Sequence, residues 1–223
     1  MNRLGELAYI PQLDEVTLLH VPGATAEFAK ERSIEMLNLV GIAMPERVYA
    51  SYPHELSGGM LQRCMIAAAI ISEPKLLICD EPTTALDVTI QAQILGLMEK
   101  LRRDHGTSIL LITHNMGVVA QLCDYVYVMY AGQVVEQAET FELFRDPRHP
   151  YTLGLLKAIS SLDGEEERLY NIRGSVPDLA DLPKGCRFCP RCDCAREDCG
   201  TEPPALAEIS PGHWVRCIND ETT

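Results

Sequence analysis

The dipeptide Gly-Lys occurs nowhere in the 223 residues, so no G-x-x-x-x-G-K-[ST] loop is present to cradle phosphates. Positive charge is scarce. Lys and Arg number 19 against 32 Asp and Glu, a net charge of −13, and this argues against nucleic acid as a partner, because phosphate backbones want a basic face. No apolar run reaches the length that spans a bilayer. The first twenty residues contain Glu6, Asp14 and Glu15 and no apolar core, which argues against a secretory signal. The expectation is a cytosolic chain whose membrane contact goes through a partner. Hydrophobic residues make up 47%, enough for a real core.

What is present centres on Glu55 to Asp87, ELSGGMLQRCMIAAAIISEPKLLICDEPTTALD. Ser57, Gly58 and Gly59 stand at or just before the start of an apolar helix over Leu61 to Ser72. Free N–H groups and the helix dipole there favour an anion, and glycines let a phosphate approach the backbone. Taken in isolation, the same three residues read first as a plain serine N-cap after a turn. The helix is apolar nearly all round, which predicts burial. Leu76 to Cys79 predicts a short strand covered on both faces. Asp80 closes it at the end where open α/β sheets bind ligands. One carboxylate with water and substrate phosphates is a usual magnesium shell. Glu81 is placed to orient or deprotonate an attacking water.

Downstream, Ile90, Ile94, Leu97, Met98 and Leu101 predict an amphipathic helix over Val88 to Asp104, ended by Gly106. Asp87 is a possible cap for it. A strand over Thr107 to Thr113 leads to His114, then a helix to Cys123. A hairpin follows over Tyr125 to Tyr130 and Gln133 to Gln137, then a short helix over Thr140 to Arg145. Upstream, Ala24 to Val40 reads as a helix closed by Gly41.

These motifs resemble the nucleotide-binding domain of ATP-binding cassette transporters. LSGGM is similar to the signature loop, LLICDE to the Walker B strand, Ala85-Leu86-Asp87 to the D-loop, and His114 in LLITHN to the switch histidine. The wording YPHELSGGM followed by Gln62-Arg63, with CDEPTTALDVTIQAQIL, is closest to the ATPase subunits of bacterial oligopeptide and dipeptide importers. The resemblance implies an α/β fold, a three-layer P-loop NTPase core here incomplete, with a helical subdomain and a small Cys-rich extension. It implies ATP and Mg2+ as ligands. Glu81 and His114 would be catalytic, Ser57, Gly58, Gly59, Gln62, Asp80 and Asp87 would bind nucleotide, and Asp80 would hold the metal. The segments expected are residues 1–54 as helical subdomain, 55–145 as ATPase core and 146–223 as extension. A second ATPase subunit, alike or different, membrane permeases and, indirectly, a solute-binding protein are the implied partners, at the cytoplasmic face of the membrane. Without the cradle, little or no turnover is expected from the chain alone. The alternatives are a non-hydrolysing partner that supplies only a signature loop in trans, or carriage of nickel or another small solute.

Six of the nine cysteines lie after residue 185, and in a cytosolic chain that density argues for metal before disulfides. Cys64, Cys79 and Cys123 read as small core residues. The resemblance assigns Cys186, Cys192, Cys199 and Cys217 to a four-iron four-sulfur (4Fe-4S) cluster. Thiolates suit Zn2+ equally, and Cys189 and Cys194 are extra donors. His213 is a packing residue or a zinc ligand. A metal is expected to staple this tail in place of a core.

Overall fold

A computed structural model describes residues 11–83, 88–160 and 170–218. The chain divides into two compact units, Met1–His114 and Asn115–Thr223.

The first unit begins with four helices, α1 (Pro11–His20), α2 (Ala26–Leu39), α3 (Pro45–Tyr49) and α4 (Gly58–Ile70). Thr25 caps α2 through the Phe28 amide, and Gly41, at φ 79°, turns the chain after it. Leu13, Ala29, Leu37, Val40 and Val48 are buried among them. The Asp14 carboxylate accepts from the hydroxyls of Ser33 and Tyr49, each at 2.6 Å, and so joins α1, α2 and α3. Burial, with the neighbouring carboxylate, pushes the Tyr49 phenol up to about 12. Arg63 of α4 donates to the carbonyl of Val40 at 2.6 Å.

Strand β1 (Leu76–Asp80) pairs in parallel with β2 (Ser108–Ile112), Leu76 opposite Ser108 and Asp80 opposite Ile112. Helix α5 (Val88–His105) connects them as a crossover. Its Ile94, Leu97, Met98 and Leu101 are buried, as their spacing requires, and Gly106 ends it at φ 66°. Two expectations need correction here. Helix α4 buries Cys64, Ile66, Ala67 and Ile70, but Met65 stands 60% exposed, so the helix is covered on one side only. Strand β1 buries Leu77 and Cys79, while Leu76 and Ile78 on its other face are exposed, as are Leu110 and Ile112 of β2. A sequence run cannot state how many layers reach it.

The second unit is built on an antiparallel sheet. Helix α6 (Met116–Leu122) is capped by Asn115, which accepts from the amides of Gly117 and Val118. Strands β3 (Tyr125–Tyr130) and β4 (Gln133–Glu139) form the expected hairpin, turned at Ala131 and Gly132, both with positive φ as a two-residue hairpin loop needs. Helices α7 (Thr140–Arg145) and α8 (Pro150–Ser160) follow. Two tail strands, β5 (Ala207–Ser210) and β6 (His213–Val215), extend the sheet in the order β3-β4-β6-β5. Val126, Val128, Val135, Ala138, Leu143 and Phe188 fill the core of this unit. The mixed α/β architecture is the expected one. The parallel part is two strands among the described residues, and the tail lends strands to a sheet, which its composition had not suggested.

Candidate functional site

The signature-like loop meets the strand end through one side chain. Ser57 precedes α4 and accepts from the Met60 amide at 3.3 Å, so its hydroxyl serves as the N-cap. Gly58 and Gly59 are the first two residues of the helix. A Cβ at Gly58 would meet nothing within 4 Å, and one at Gly59 would make ordinary contact with Ile90 at 3.5 Å. Among the described residues, their smallness is therefore not demanded by internal packing. Gln62, one turn on, donates to the Pro82 carbonyl at 2.6 Å and braces the helix against the turn that follows Glu81.

Asp80 and Glu81 stand at the C-terminal end of β1. The chain turns sharply there: Glu81 has φ 47°, and its amide donates to the Ile112 carbonyl at the end of β2. This carries the carboxylate toward the residue that follows β2. His114 Nδ1 lies 2.7 Å from Glu81 Oε1, with the imidazole largely exposed and the carboxylate about one-third exposed. Two residues 33 positions apart thus share one hydrogen bond at the mouth of the sheet. Asp80 beside them is exposed. Among the described residues no group of three or more His, Cys, Asp or Glu is arranged to hold a metal ion. A lone exposed carboxylate suits magnesium that arrives with phosphates and keeps its waters. Asp87, with Ala85 and Leu86, lies outside the described residues.

The cysteines separate into two kinds. Cys64 and Cys79 are buried in α4 and β1, and burial pushes the Cys64 thiol up to about 11, as befits inert core residues. In the second unit Cys186, Cys189, Cys192, Cys199 and Cys217 line one cavity with His149, Pro150 and Phe188. Cys194 is exposed and outside it. The backbone brings these positions together: the Cys186 amide donates to the Cys199 carbonyl at 2.8 Å. Gly185 makes that crossing possible, since a Cβ there would lie 2.3 Å from the Cys199 oxygen. Burial pushes the Cys192 thiol up to about 12 and raises Cys189, so both are protonated near neutrality and would release protons to a metal.

The cavity is about 10 Å3. The thiols that line it are not drawn onto one point, since among the described residues no three such donors form a metal group. The expectation of a four-iron four-sulfur cluster on Cys186, Cys192, Cys199 and Cys217 therefore lacks support in the geometry. The tail also has an apolar anchor, which its composition had not suggested. Phe188 is 3% exposed, with ring centroids 5.1 Å from Tyr130 and 5.5 Å from Tyr151. Arg187 reaches the Ala131 carbonyl, and Arg191 the Ile172 and Arg173 carbonyls. His213 is no zinc ligand: its Nε2 lies 2.8 Å from Glu136 Oε1, both side chains fully buried. Sequence reasoning missed Glu136, and only its polar identity in a strand pattern hinted at a partner.

Comparison with known proteins agrees with this division. The family model described as ABC transporter matches residues 3–84, and the one described as oligopeptide/dipeptide transporter, C-terminal region, matches residues 135–199. The chain is 53% identical over 207 residues to the oligopeptide transport ATP-binding protein AppD of Bacillus subtilis (strain 168), covering 93% of this chain and 63% of that protein. It is 49% identical to the oligopeptide transport ATP-binding protein OppD of Salmonella typhimurium (strain LT2), covering 97% and 62%. It thus spans a little under two thirds of the length of these relatives. Among solved structures, the dimeric post-hydrolysis state of the ATP-binding cassette MJ0796 bound to ADP and Pi superposes with a TM-score of 0.55 at 26% identity, covering 60% of this chain and 57% of that one.

Proposed function

The chain belongs to the ABC transporter family, and from that premise we propose that it is part of an ATP-hydrolysing subunit that energises peptide import. The observation that carries this reading is the Glu81–His114 contact beside Asp80 at the mouth of a parallel sheet. Magnesium, when bound with ATP, draws charge from the phosphate oxygens, and Asp80 is the carboxylate to hold it. Glu81 Oε1 accepts a proton from, or orients, the water that attacks the γ-phosphorus as the bond to the ADP oxygen breaks. His114 Nδ1 steadies that carboxylate, and its exposed ring can reach a γ-phosphate oxygen. Ser57, Gly58 and Gly59 offer a helix N-terminus to the phosphates held by a second ATPase subunit; the dimeric state of the structural neighbour supports such pairing. For Asp87, outside the described residues, a nucleotide-binding role is what the resemblance implies. Residues 1–54 form the helical subdomain, 55–145 the core and 146–223 the extension. The partners are membrane permeases, with the ATPase peripheral to the membrane; among the described residues no helix is long and apolar enough to cross it.

The phosphate cradle must come from a segment that carries a G-x-x-x-x-G-K-[ST] loop, which this sequence does not contain. The absence of that loop from this sequence favours a second reading, in which the chain hydrolyses nothing itself and supplies only its signature loop in trans. ATP turnover by this chain mixed with a subunit bearing the cradle separates the two. On the first reading Glu81→Gln lowers turnover about 100-fold or more. On the second, Glu81→Gln changes nothing and Gly58→Asp abolishes turnover.

For the tail, the gathering of Cys186, Cys189, Cys192, Cys199 and Cys217 around one cavity is what supports a thiolate-bound group there, a 4Fe-4S cluster on Cys186, Cys192, Cys199 and Cys217 or, as the alternative, Zn2+.

A further inference from the structure

Glu81 is held in a backbone conformation that side chains avoid. Its φ of 47° is left-handed, and such residues persist only where their surroundings over-determine them. Hydrogen bonds on either side of the residue do so here. The Glu81 amide donates to the Ile112 carbonyl at 2.9 Å, which ties the end of β1 to the end of β2. The next carbonyl along, that of Pro82, accepts from Gln62 Nε2 at 2.6 Å. Pro82 is buried and, as a proline, brings no N–H to the turn, which leaves its carbonyl as the backbone group to anchor.

Gln62 sits on a helix that is itself fixed. Its neighbour Arg63 donates to the carbonyls of Val40, at 2.6 Å, and Gly41, at 3.3 Å, and to the Gln93 side chain of α5. Just past the far end of α4, Arg32 of α2 donates twice to the Ile71 carbonyl. Arginines thus clamp the helix to α2 and α5, and Gln62 carries its position to the Glu81 turn. The resemblance placed Gln62 with the nucleotide-binding residues; in the structure its amide group is turned to the Pro82 carbonyl instead. The effect is felt at Glu81 Oε1. An ionised carboxylate only accepts, so in the 2.7 Å contact with His114 it is Nδ1 that carries the proton.

We propose that Gln62 is a positioning residue: through the Pro82 carbonyl it holds Glu81 in the left-handed turn that aims its carboxylate at His114. The helix that starts in the signature-like loop thereby sets the aim of the hydrolytic acid. This rests on the reading of Glu81 and His114 as the hydrolytic pair.

The chain alone supplies the first test. In nitrogen-15 spectra of the imidazole rings, above the pH at which histidine is charged, His114 is expected to carry its proton on Nδ1, against the Nε2 preference of imidazole side chains free in water. Gln62→Met keeps an unbranched side chain with a good helix preference and removes the donor. It is expected to lose the Nδ1–H form, as Glu81→Ala does. Arg63→Met frees α4 from Val40 and Gly41 but not from Pro82, and is expected to keep that form, which tells loss of aim from general loosening of the helix. A Gln62→Met chain that keeps the Nδ1–H form, or an Arg63→Met chain that loses it equally, would overturn the proposal. A natural chain without it sinks the Glu81–His114 reading, and the proposal with it.

Turnover in a mixture with a cradle-bearing subunit supplies the second test. Gln62→Met is expected to lower kcat at least about tenfold while KM for ATP changes less than about twofold, the pattern of a misaligned acid. In a Glu81→Gln background the same substitution should cost nothing more. A raised KM at unchanged kcat would return Gln62 to nucleotide binding and reject the positioning role. No turnover by the natural mixture rejects the hydrolysis reading, while the spectra still decide whether Gln62 aims Glu81. If Gln62→Met fails to fold, Gln62→Glu, whose ionised carboxylate cannot donate, takes its place in both tests.

Discussion

In the first unit Leu76, Ile78, Leu110 and Ile112 stand exposed on one face of a two-stranded parallel sheet. In the second, β3 and β4 of a four-stranded antiparallel sheet bury Val126, Val128, Tyr130 and Val135 in one core with Leu143 and Phe188, while Tyr125, Tyr127 and Met129 stand exposed on the other face of β3. Parallel sheets are ordinarily covered on both faces, antiparallel ones on one. Each sheet here leaves one face open, which is ordinary for the antiparallel sheet and a departure for the parallel one, and the two units should answer perturbation differently.

Truncating the second core gives the largest effect. Phe188→Ala removes a ring that packs against Tyr130, Tyr151 and His149, and should cost about 3–5 kcal/mol. Trp214 is the only tryptophan and lies in β6, so its fluorescence in a urea melt reports this unit directly. A shift of under 1 kcal/mol would mean that the ring is not a core member.

Acid should come next. Burial lowers His149 from 6.5 to about 4. The unfolded chain then binds more protons than the folded one between those values, so stability is complete above about pH 6.5 and falls as pH drops toward 4. The loss amounts to about 3 kcal/mol at most. His149→Gln should flatten the Trp214 melting profile over that window, and an unchanged slope would exclude this histidine as its source.

In the first unit, Asp14→Ala strands the buried Ser33 hydroxyl and releases Tyr49, at about 1–3 kcal/mol. Far-UV circular dichroism follows it through helix loss, with Trp214 fluorescence unmoved if the units melt separately. Smallest of all, Ile78→Thr on the exposed face should stay within about 0.5 kcal/mol. It should reduce self-association in sedimentation, because a contiguous apolar face invites contact. A large loss of stability there would show that the face is covered after all, and the contrast between the units would fail.

Much of the architecture was legible because it is written in local periodicity. The spacing of Ile94, Leu97, Met98 and Leu101 marked α5, and Ala131-Gly132 between alternating runs marked the β3–β4 turn. The order of SGG, DE and H marked the candidate site, and Glu81 and His114 do meet. Coverage was not legible: Leu76 and Ile78 are apolar whether or not a layer reaches them. The β5–β6 hairpin is written only in the short runs AEIS and HWV around Pro211-Gly212, too brief for alternation to stand out in a cysteine-rich tail. Glu136 and His213 lie 77 residues apart, and nothing local in either announces the other.

The backbone of Glu81 has one more consequence. An L-residue at φ 47° carries roughly 1–2 kcal/mol of steric penalty that glycine would escape. At this position mutational drift toward a sturdier fold and retention of the acid pull in opposite directions. A directed-evolution screen that selected for heat resistance alone would be expected to discard the carboxylate here early, and a lineage that keeps it records selection for turnover.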